Sequence, residues 1–215
     1  MTEYNVKVSI IIPHWNGIEI LSECITSLLE TKHNSYEIIV VDNASTDGSQ
    51  SWLKNTHPQI RLIENDKNYG YAGGCNRGAL GANGDYLVFL NNDTIQDPNW
   101  IKYLEILMEK EEMIAAVQPK ILNYYNKNIF DYAGGSGGYL DIFCFPFARG
   151  RIFSNQEEDS GQYNDSRECF WSSGTAFMIK KELFFKAGKF DEYFFSHMEE
   201  IDLCWRLQAM GFQIW

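Results

Sequence analysis

Five short runs of apolar, mostly β-branched residues recur through the first 120 residues: VSIII (8–12), EIIVVD (37–42), IRLIE (60–64), DYLVFL (85–90) and IAAVQ (114–118). Most of them are apolar at consecutive positions, the pattern of a strand covered on both faces. Helical patterns fill the intervals. IEILSECITSLL (18–29) sets Ile18, Leu21, Ile25, Leu28 and Leu29 at helical spacing. AGGCNRGALGA (72–82) reads as a small-residue helix that packs closely, with Gly84 able to end it. Ser45 or Thr46 is the expected cap of a short helix after the second run. Asp97 followed by Pro98 is the expected start of the helix WIKYLEILMEK. Pro13 is expected to stop the first strand. This alternation implies an α/β fold with a mostly parallel central sheet and helices on both faces.

The rhythm breaks near residue 120. The stretch 121–167 holds the glycine cluster YAGGSGGYL and a polar run, SNQEEDSGQYNDSRE (154–168). It reads as an excursion with a mobile loop inside one domain, 1–215, and not as a linker. FWSSGTAFMI (170–179) restores strand character, and KKELFFKAG is a short helix capped by Gly188. FDEYFF is a turn, and HMEEIDLCWRLQAMG is a helix ending at Gly211. FQIW (212–215) reads as the start of a further strand, so the chain is expected to be short at its C-terminus.

Charge limits the partners. Lys plus Arg number 18 and Asp plus Glu 29, a net charge of −11. That balance argues against nonspecific binding of nucleic acid, which requires phosphates to be neutralised. A phosphate ligand on so acidic a chain would need a metal cation as counter-charge. The five cysteines, at 24, 75, 144, 169 and 204, form no C-x-x-C pair, which fits free thiols in a reducing compartment, most of them buried. The N-terminus, MTEYNVKVS, lacks a signal-peptide core, and no apolar run approaches the ~18 residues that cross a bilayer.

Three strand ends are polar: PHWN (13–16), VDNASTDGS (41–49) and LNND (90–93). A lone Asp after a strand is an ordinary turn residue. Three polar ends on one edge of a parallel sheet favour a ligand site, because ligands of open α/β sheets sit at the carboxyl ends of strands. For a nucleoside diphosphate there, Asp93 can be the single carboxylate that Mg²⁺ or Mn²⁺ needs beside phosphates and water. Asp42 could accept from a base or ribose, and Asn91 can hydrogen-bond without carrying charge. The glycine-rich NYGYAGGCNRG (68–78) is neither G-x-G-x-x-G nor a Walker loop. Two readings stay open for it: tight helix packing, or close backbone approach to a nucleotide with Asn76 and Arg77 facing the ligand.

Carboxylates concentrate again in MEEIDLCWR (198–206). Asp202 and Arg206 make an i, i+4 pair, and Glu199 and Glu200 suit a helix start. The aromatics of FDEYFFSH lead directly into them. Rings beside carboxylates can hold a sugar and raise the pKa of a base by desolvation. WSSGTAFMI adds a small-residue turn flanked by Trp171. It is either a bend in a strand or the floor of an acceptor site on which Trp171 stacks. The four histidines show no metal spacing, and no G-x-S-x-G elbow occurs.

VSIIIPHWNG, IIVVDNASTDGS, NYGYAGGCNRG, YLVFLNNDT, SSGTAFMI and FDEYFFSHMEEIDLCWRL, in that order, resemble glycosyltransferase family 2, and within it the bacterial rhamnosyltransferase-like branch. The resemblance covers residues 7–215. It implies a GT-A fold with a nucleotide-binding half, about 1–120, and an acceptor-binding half, about 121–215. By position it implies that Pro13, Asn16, Asp42, Ser45, Asp47, Gly73, Asn76, Asn91 and Asn92 border the donor. It makes Asp93 the ligand of Mg²⁺ or Mn²⁺ and Glu200 the catalytic base of an inverting transfer, with Glu199 or Asp202 as the alternative base. Trp171, Gly174 and Glu199 would line the acceptor, a glycan or lipid-linked sugar. It further implies work on cell-surface polysaccharide in the cytoplasm, with peripheral association at the inner face of the membrane. Two positions depart from the family pattern: N-x-D stands for D-x-D, and Glu for Asp at the base. A nucleotide-sugar or glycan-binding module without turnover is the alternative reading, and tight donor binding without transfer would mark it. A dinucleotide oxidoreductase lacks its G-x-G-x-x-G after the first strand.

Overall fold

The computed structural model describes residues 6–215; residues 1–5, in the polar N-terminal stretch, lie outside the described residues. The first half alternates as its periodicity requires: β1 Val8–His14, α1 Ile18–Leu29, β2 Tyr36–Asp42, α2 Ser49–Thr56, β3 Arg61–Glu64, α3 Gly70–Gly81, β4 Tyr86–Leu90, α4 Trp100–Lys110 and β5 Ile114–Val117. The excursion folds into a small meander, β6 Gly138–Leu140, β7 Pro146–Ala148, β8 Arg151–Ile152 and β9 Asn155–Gln156. The chain then rejoins the main layer with β10 Ala176–Lys180, α5 Lys181–Lys186, a 3-10 turn Glu192–Phe194, α6 Glu199–Ala209 and β11 Gln213–Ile214.

Seven strands make one sheet in the order β11-β5-β10-β4-β1-β2-β3. It is parallel except for β10, which runs antiparallel to β4 and β5. That reversal matters for the site, because it sets Ala176 beside Leu90. The turn preceding β10 therefore arrives at the carboxyl end of β4, next to Asn91–Asp93.

Each face of the sheet is covered. On one side Leu21, Cys24, Ile25 and Leu28 of α1 and Trp100, Ile101, Leu104 and Met108 of α4 bury against Ile10, Ile12 and Val40. On the other, α3, α5 and α6 cover Ile11, Val41 and Phe89. Fully burying one such side chain contributes about 1.5–3 kcal/mol, so either layer outweighs any single cap. The small residues of α3 are explained by contact: a Cβ on Gly78 would clash with Ile11 Cγ2 and lie 3.0 Å from Val41 Cγ2. Among the described residues no helix is long and apolar enough to cross a membrane.

Several local expectations are corrected. The first strand runs through Pro13 to His14. His14 accepts from Asn43 on the β2 side, so by alternation Pro13 faces β4, whose register has ended at Ile11–Phe89, and its missing N–H breaks no ladder bond. Neither Ser45 nor Thr46 caps α2; Gly48 precedes it at φ 91°. Asp97 is not the cap of α4, which Asn99 precedes; its carboxylate instead accepts from the Asn99 amide. Of 170–179 only the end is a main strand, because residues 169–171 bridge to Ile214 and Gly138 instead. All five cysteines are free, with Cys144 exposed and the other four buried.

Candidate active site

The sheet order puts β2, β1 and β4 side by side and parallel, so their three polar ends converge. A chain of hydrogen bonds ties them. Asn92 Nδ2 donates to His14 Nδ1 (2.9 Å), and His14 Nε2 meets Ser49 Oγ (2.9 Å). Ser49 Oγ in turn donates to Asp47 Oδ1. An amide nitrogen can only donate, so Nδ1 accepts, and the ring proton sits on Nε2. His14 is thus a neutral link. Burial holds its pKa below the usual value, against the opposing pull of Asp42 and Asp47.

The loop after β1 and the loop after β2 are laced together. Asn16, at φ 57°, donates its amide to Ser45 Oγ (2.8 Å) and accepts from the Thr46 amide through its side chain (2.8 Å). Asp47 accepts from the amides of Gly17 (2.6 Å) and Ile18 (3.2 Å), so it caps α1 from across the gap. Burial works to raise the Asp47 pKa, but the Ser49 hydroxyl and these amides prevail and hold it at about 2. Asn16, Ser45 and Asp47 therefore shape the rim through bonds within the chain.

Asp42 is 1% exposed. Its Oδ1 accepts from the Ser45 amide (2.9 Å) and Gln50 Nε2 (2.6 Å), while its Oδ2 is buried with no partner. A buried acceptor without a donor is costly and calls for a ligand or water. Its neighbour Asn43 donates to Gly70 O (3.1 Å) and accepts from Asn65 (2.8 Å), which fastens β2 to α3 and to the loop after β3. Sequence reasoning missed His14, Asn43 and Ser49 as members of this site; their signal was their place in the same strand-end motifs.

The glycine-rich segment resolves toward packing. Gly74 abuts Pro13 Cβ and Asn43, and Gly70, at φ 71°, lies against Phe195. Gly73 faces Tyr69, Arg77 and Glu192 of the chain itself. Asn76 is 2% exposed and clamps the 190s loop: Nδ2 donates to Phe190 O (2.9 Å) and Glu192 Oε1 (3.1 Å), and Oδ1 accepts from the Phe190 amide. Arg77 lies over the Tyr69 ring and pairs with Glu192 (3.3 Å). The expectation of Asn76 and Arg77 facing a ligand is replaced by this scaffold.

The clamp holds the approach to α6. Phe195, His197 and Met198 all have positive φ (60°, 74° and 75°), a run of strain that sits where side chains of this kind rarely go. It delivers Glu199 and Glu200 as the first residues of α6. Glu199 is 3% exposed and Glu200 is half-buried, and each keeps one buried carboxylate oxygen without a partner. Burial, then the charge of Glu200, pushes Glu199 up to about 7. Burial also raises Glu200, although amides of Glu200, Gly174 and Ile201 and the nearby His197 favour its charged form. Asp202 is occupied: Arg206 holds it through Nε (3.0 Å) and Nη2 (2.6 Å).

One turn connects this acid pair to β4. The Gly174 amide lies by Glu200, and the Thr175 carbonyl accepts from the Asn91 amide (3.0 Å). Tyr71 completes the corner, donating its hydroxyl to Gly174 O, with burial and the adjoining Cys75 and glutamates raising its pKa well above the usual value. Trp171 is not a stacking floor: it is 7% exposed, packs on Gly138 and donates to Tyr139 O (3.0 Å). Asn91 and Asp93 line a cavity of about 620 Å³ with Thr94, Lys120, Asp131 and Thr175. Asp93 is exposed and makes no hydrogen bond or ion pair among the described residues. No cluster of three or more His, Cys, Asp or Glu suited to a metal occurs among them. The protein thus fits a cation only as one free carboxylate, with ligand oxygens and water supplying the rest.

Known proteins resemble the chain in sequence and in fold. The chain is 29% identical over 215 residues to the O-antigen biosynthesis protein RfbC of Myxococcus xanthus, covering 97% of this chain and 16% of that one. It is 24% identical over 206 residues to the N-acetylglucosaminyl-diphospho-decaprenol L-rhamnosyltransferase of Mycobacterium tuberculosis, 89% of this chain and 67% of the relative. The chain spans less than two thirds of the first curated relatives it matches. Among solved structures, mannosyltransferase PcManGT of Pyrobaculum calidifontis, in complex with GDP-Man and Mn²⁺, superposes with a TM-score of 0.69 at 18% identity, covering 99% of this chain and 55% of that one. The model of glycosyl transferase family 2 matches residues 9–188. With that match over most of its length, the chain belongs to glycosyl transferase family 2 and has the GT-A fold.

Proposed function

We propose that the chain carries a metal-dependent, inverting sugar transfer from a nucleoside-diphosphate sugar to a glycan or lipid-linked acceptor. The setting is synthesis of cell-surface polysaccharide at the cytoplasmic face of the membrane. The observation that carries this reading is the half-buried Glu200, with an unpartnered oxygen, joined through the 174–175 turn to the Asn91–Asp93 end of β4. The names of the relatives and the nucleotide sugar and Mn²⁺ bound to the mannosyltransferase point to the same chemistry.

In this reading Asp42 accepts from the base or ribose through its free Oδ2. The His14–Asn92 link fixes the neighbouring strand ends. Pro13, Asn16, Ser45, Asp47, Gly73 and Asn76 hold the walls without needing to touch the donor. Asp93, with Asn91 beside it, would bind a divalent cation, whose charge eases departure of the diphosphate. The half-buried Glu200 carboxylate takes the proton from the acceptor hydroxyl as that oxygen attacks the anomeric carbon. The bond from that carbon to the diphosphate oxygen breaks on the opposite side, and the nucleoside diphosphate leaves. One base and no covalent nucleophile give inversion. Glu199 is enclosed at the start of α6 and lies beside Glu200, whose charge adds to burial in raising its pKa. Gly174 sets the acceptor side of the cleft, while Trp171 supports it from beneath.

Asn91 cannot carry the charge of the usual first Asp, and this favours, as the second reading, a module that binds donor without turnover. The two are separated by assaying hydrolysis and transfer from UDP-, GDP- and dTDP-sugars with Mn²⁺. Turnover that Asp93→Ala lowers ~10²-fold or more supports the enzyme. Turnover equal in wild type and Asp93→Ala removes Asp93 from the site, and binding without any turnover leaves the module.

A further inference from the structure

The meander β6–β9 exposes an apolar end. Consecutive antiparallel strands place the β6–β7 loop and the β8–β9 turn at the same end of the small sheet and the β7–β8 turn at the other. The first loop carries Ile142, Phe143 and Phe145, which are 90%, 73% and 67% exposed; the second brings Ile152 and Phe153, at 62% and 89%. The first loop is also well defined. Asp141 Oδ1 accepts from the amides of Phe143 (2.8 Å) and Phe145 (2.9 Å), and the Cys144 amide donates to Asp141 O (2.9 Å). Five large apolar side chains exposed together at one end of a small sheet are not ordinary surface scatter.

We propose that these two tips insert into the interfacial region of a lipid bilayer and seat the active site against it. Two observations on the tips select a bilayer over a protein partner. Their side chains are aliphatic and aromatic with no interleaved charge, the composition that enters the headgroup–acyl boundary. And on a chain of net charge −11 the two tips, residues 141–145 and 152–154, carry a single charged side chain, Asp141, whose Oδ1 is held by the amides of Phe143 and Phe145. The inference rests on the reading that the acceptor is lipid-linked, which gives docking its use. With so acidic a body, attachment must come from apolar burial and not from charge.

Vesicle co-sedimentation tests it with the whole chain. Cys144 supplies a second readout, since it is the exposed thiol at the tip while the other four cysteines are buried. A polarity-sensitive dye on Cys144 should shift to the blue on adding phosphatidylcholine vesicles. Binding should persist with or without phosphatidylglycerol and change little between about 0.1 and 0.5 M salt. The double variant Phe143→Ser, Phe145→Ser should bind at least about tenfold more weakly, and Tyr103→Ser, exposed on α4, should bind like wild type. The double variant should keep any nucleotide-dependent thermal shift, so failure of the cleft reading and failure of docking are seen separately. No binding by wild type, binding abolished by salt, or equal binding by the double variant would overturn the proposal. So would a dimer in vesicle-free solution that the double variant disperses, because the tips would then serve a second copy.

Discussion

Glu200→Gln is expected to lower sugar transfer by ~10²–10⁴-fold while leaving nucleotide binding intact. The neutral amide keeps the shape of the side chain and loses the ability to take a proton. Burial already raises the Glu200 pKa, which matches its basicity better to an acceptor hydroxyl than an exposed carboxylate would. Its remaining oxygen is unpartnered, so the substitution breaks no bond that the fold depends on. A parallel measurement of nucleotide-induced stabilisation separates the roles: a base affects turnover alone, whereas a wall residue affects binding as well. Transfer unchanged in Glu200→Gln but abolished in Glu199→Gln would exchange the two glutamates.

Glu199→Gln should make the protein more stable, and only at high pH. The Glu199 carboxyl ionises near its ordinary 4.5 when unfolded and at about 7 when folded. Between those values the folded chain holds a proton that the unfolded chain has released. Stability is therefore full below about pH 4.5 and declines as pH rises through 7, since the carboxylate must then be charged while buried beside Glu200. The difference converts to about 3 kcal/mol above pH 7. A permanently neutral Gln removes that penalty. Wild type and variant should unfold together near pH 4.5, and the variant should lead at pH 8 by ~6–12 °C in Tm. Equal Tm at pH 8, or an equal gain at both pH values, would contradict the burial of a titrating carboxyl at this position. If Glu200 contributes to the shift through its charge, Glu200→Gln lowers the midpoint of the same pH dependence.

The sheet was legible because its strands are covered on both faces, and consecutive apolar residues report that directly. The direction of β10 was not. FWSSGTAFMI looks alike whether it runs parallel or antiparallel, and its partners, Tyr86–Leu90 of β4 and Ala116 and Val117 of β5, fix it. The convergence of three strand ends was legible from alternation alone, and so were Asp42 and the Asn91–Asp93 turn as its members. The work of individual residues was less so. Asn76, in the glycine-rich helix α3, carries no mark that says its amide will be used up by Phe190 and Glu192, 114 and 116 residues away. Trp171 beside two serines and a glycine looks available, yet Gly138, from the meander, makes the space that buries it. Helix caps failed for their own reasons: Ser45 and Asp97 are good caps by type, but Ser45 Oγ accepts from the Asn16 amide of another loop and Asp97 braces its own turn. Long-range partners, which a local pattern does not encode, decided every case but that of Asp97.

The central claim is that the joined ends of β1, β2 and β4 form a donor cleft that uses a cation through Asp93. Thermal unfolding with UDP, GDP and dTDP, each with and without Mn²⁺, tests it most directly. A ligand at ~100 times its dissociation constant adds ~2.7 kcal/mol to the stability of the folded state. The account predicts a stabilisation that requires both one of the nucleotides and the metal, and that Asp93→Ala loses. Stabilisation by nucleotide alone, undiminished in Asp93→Ala, or none with any combination, would contradict it.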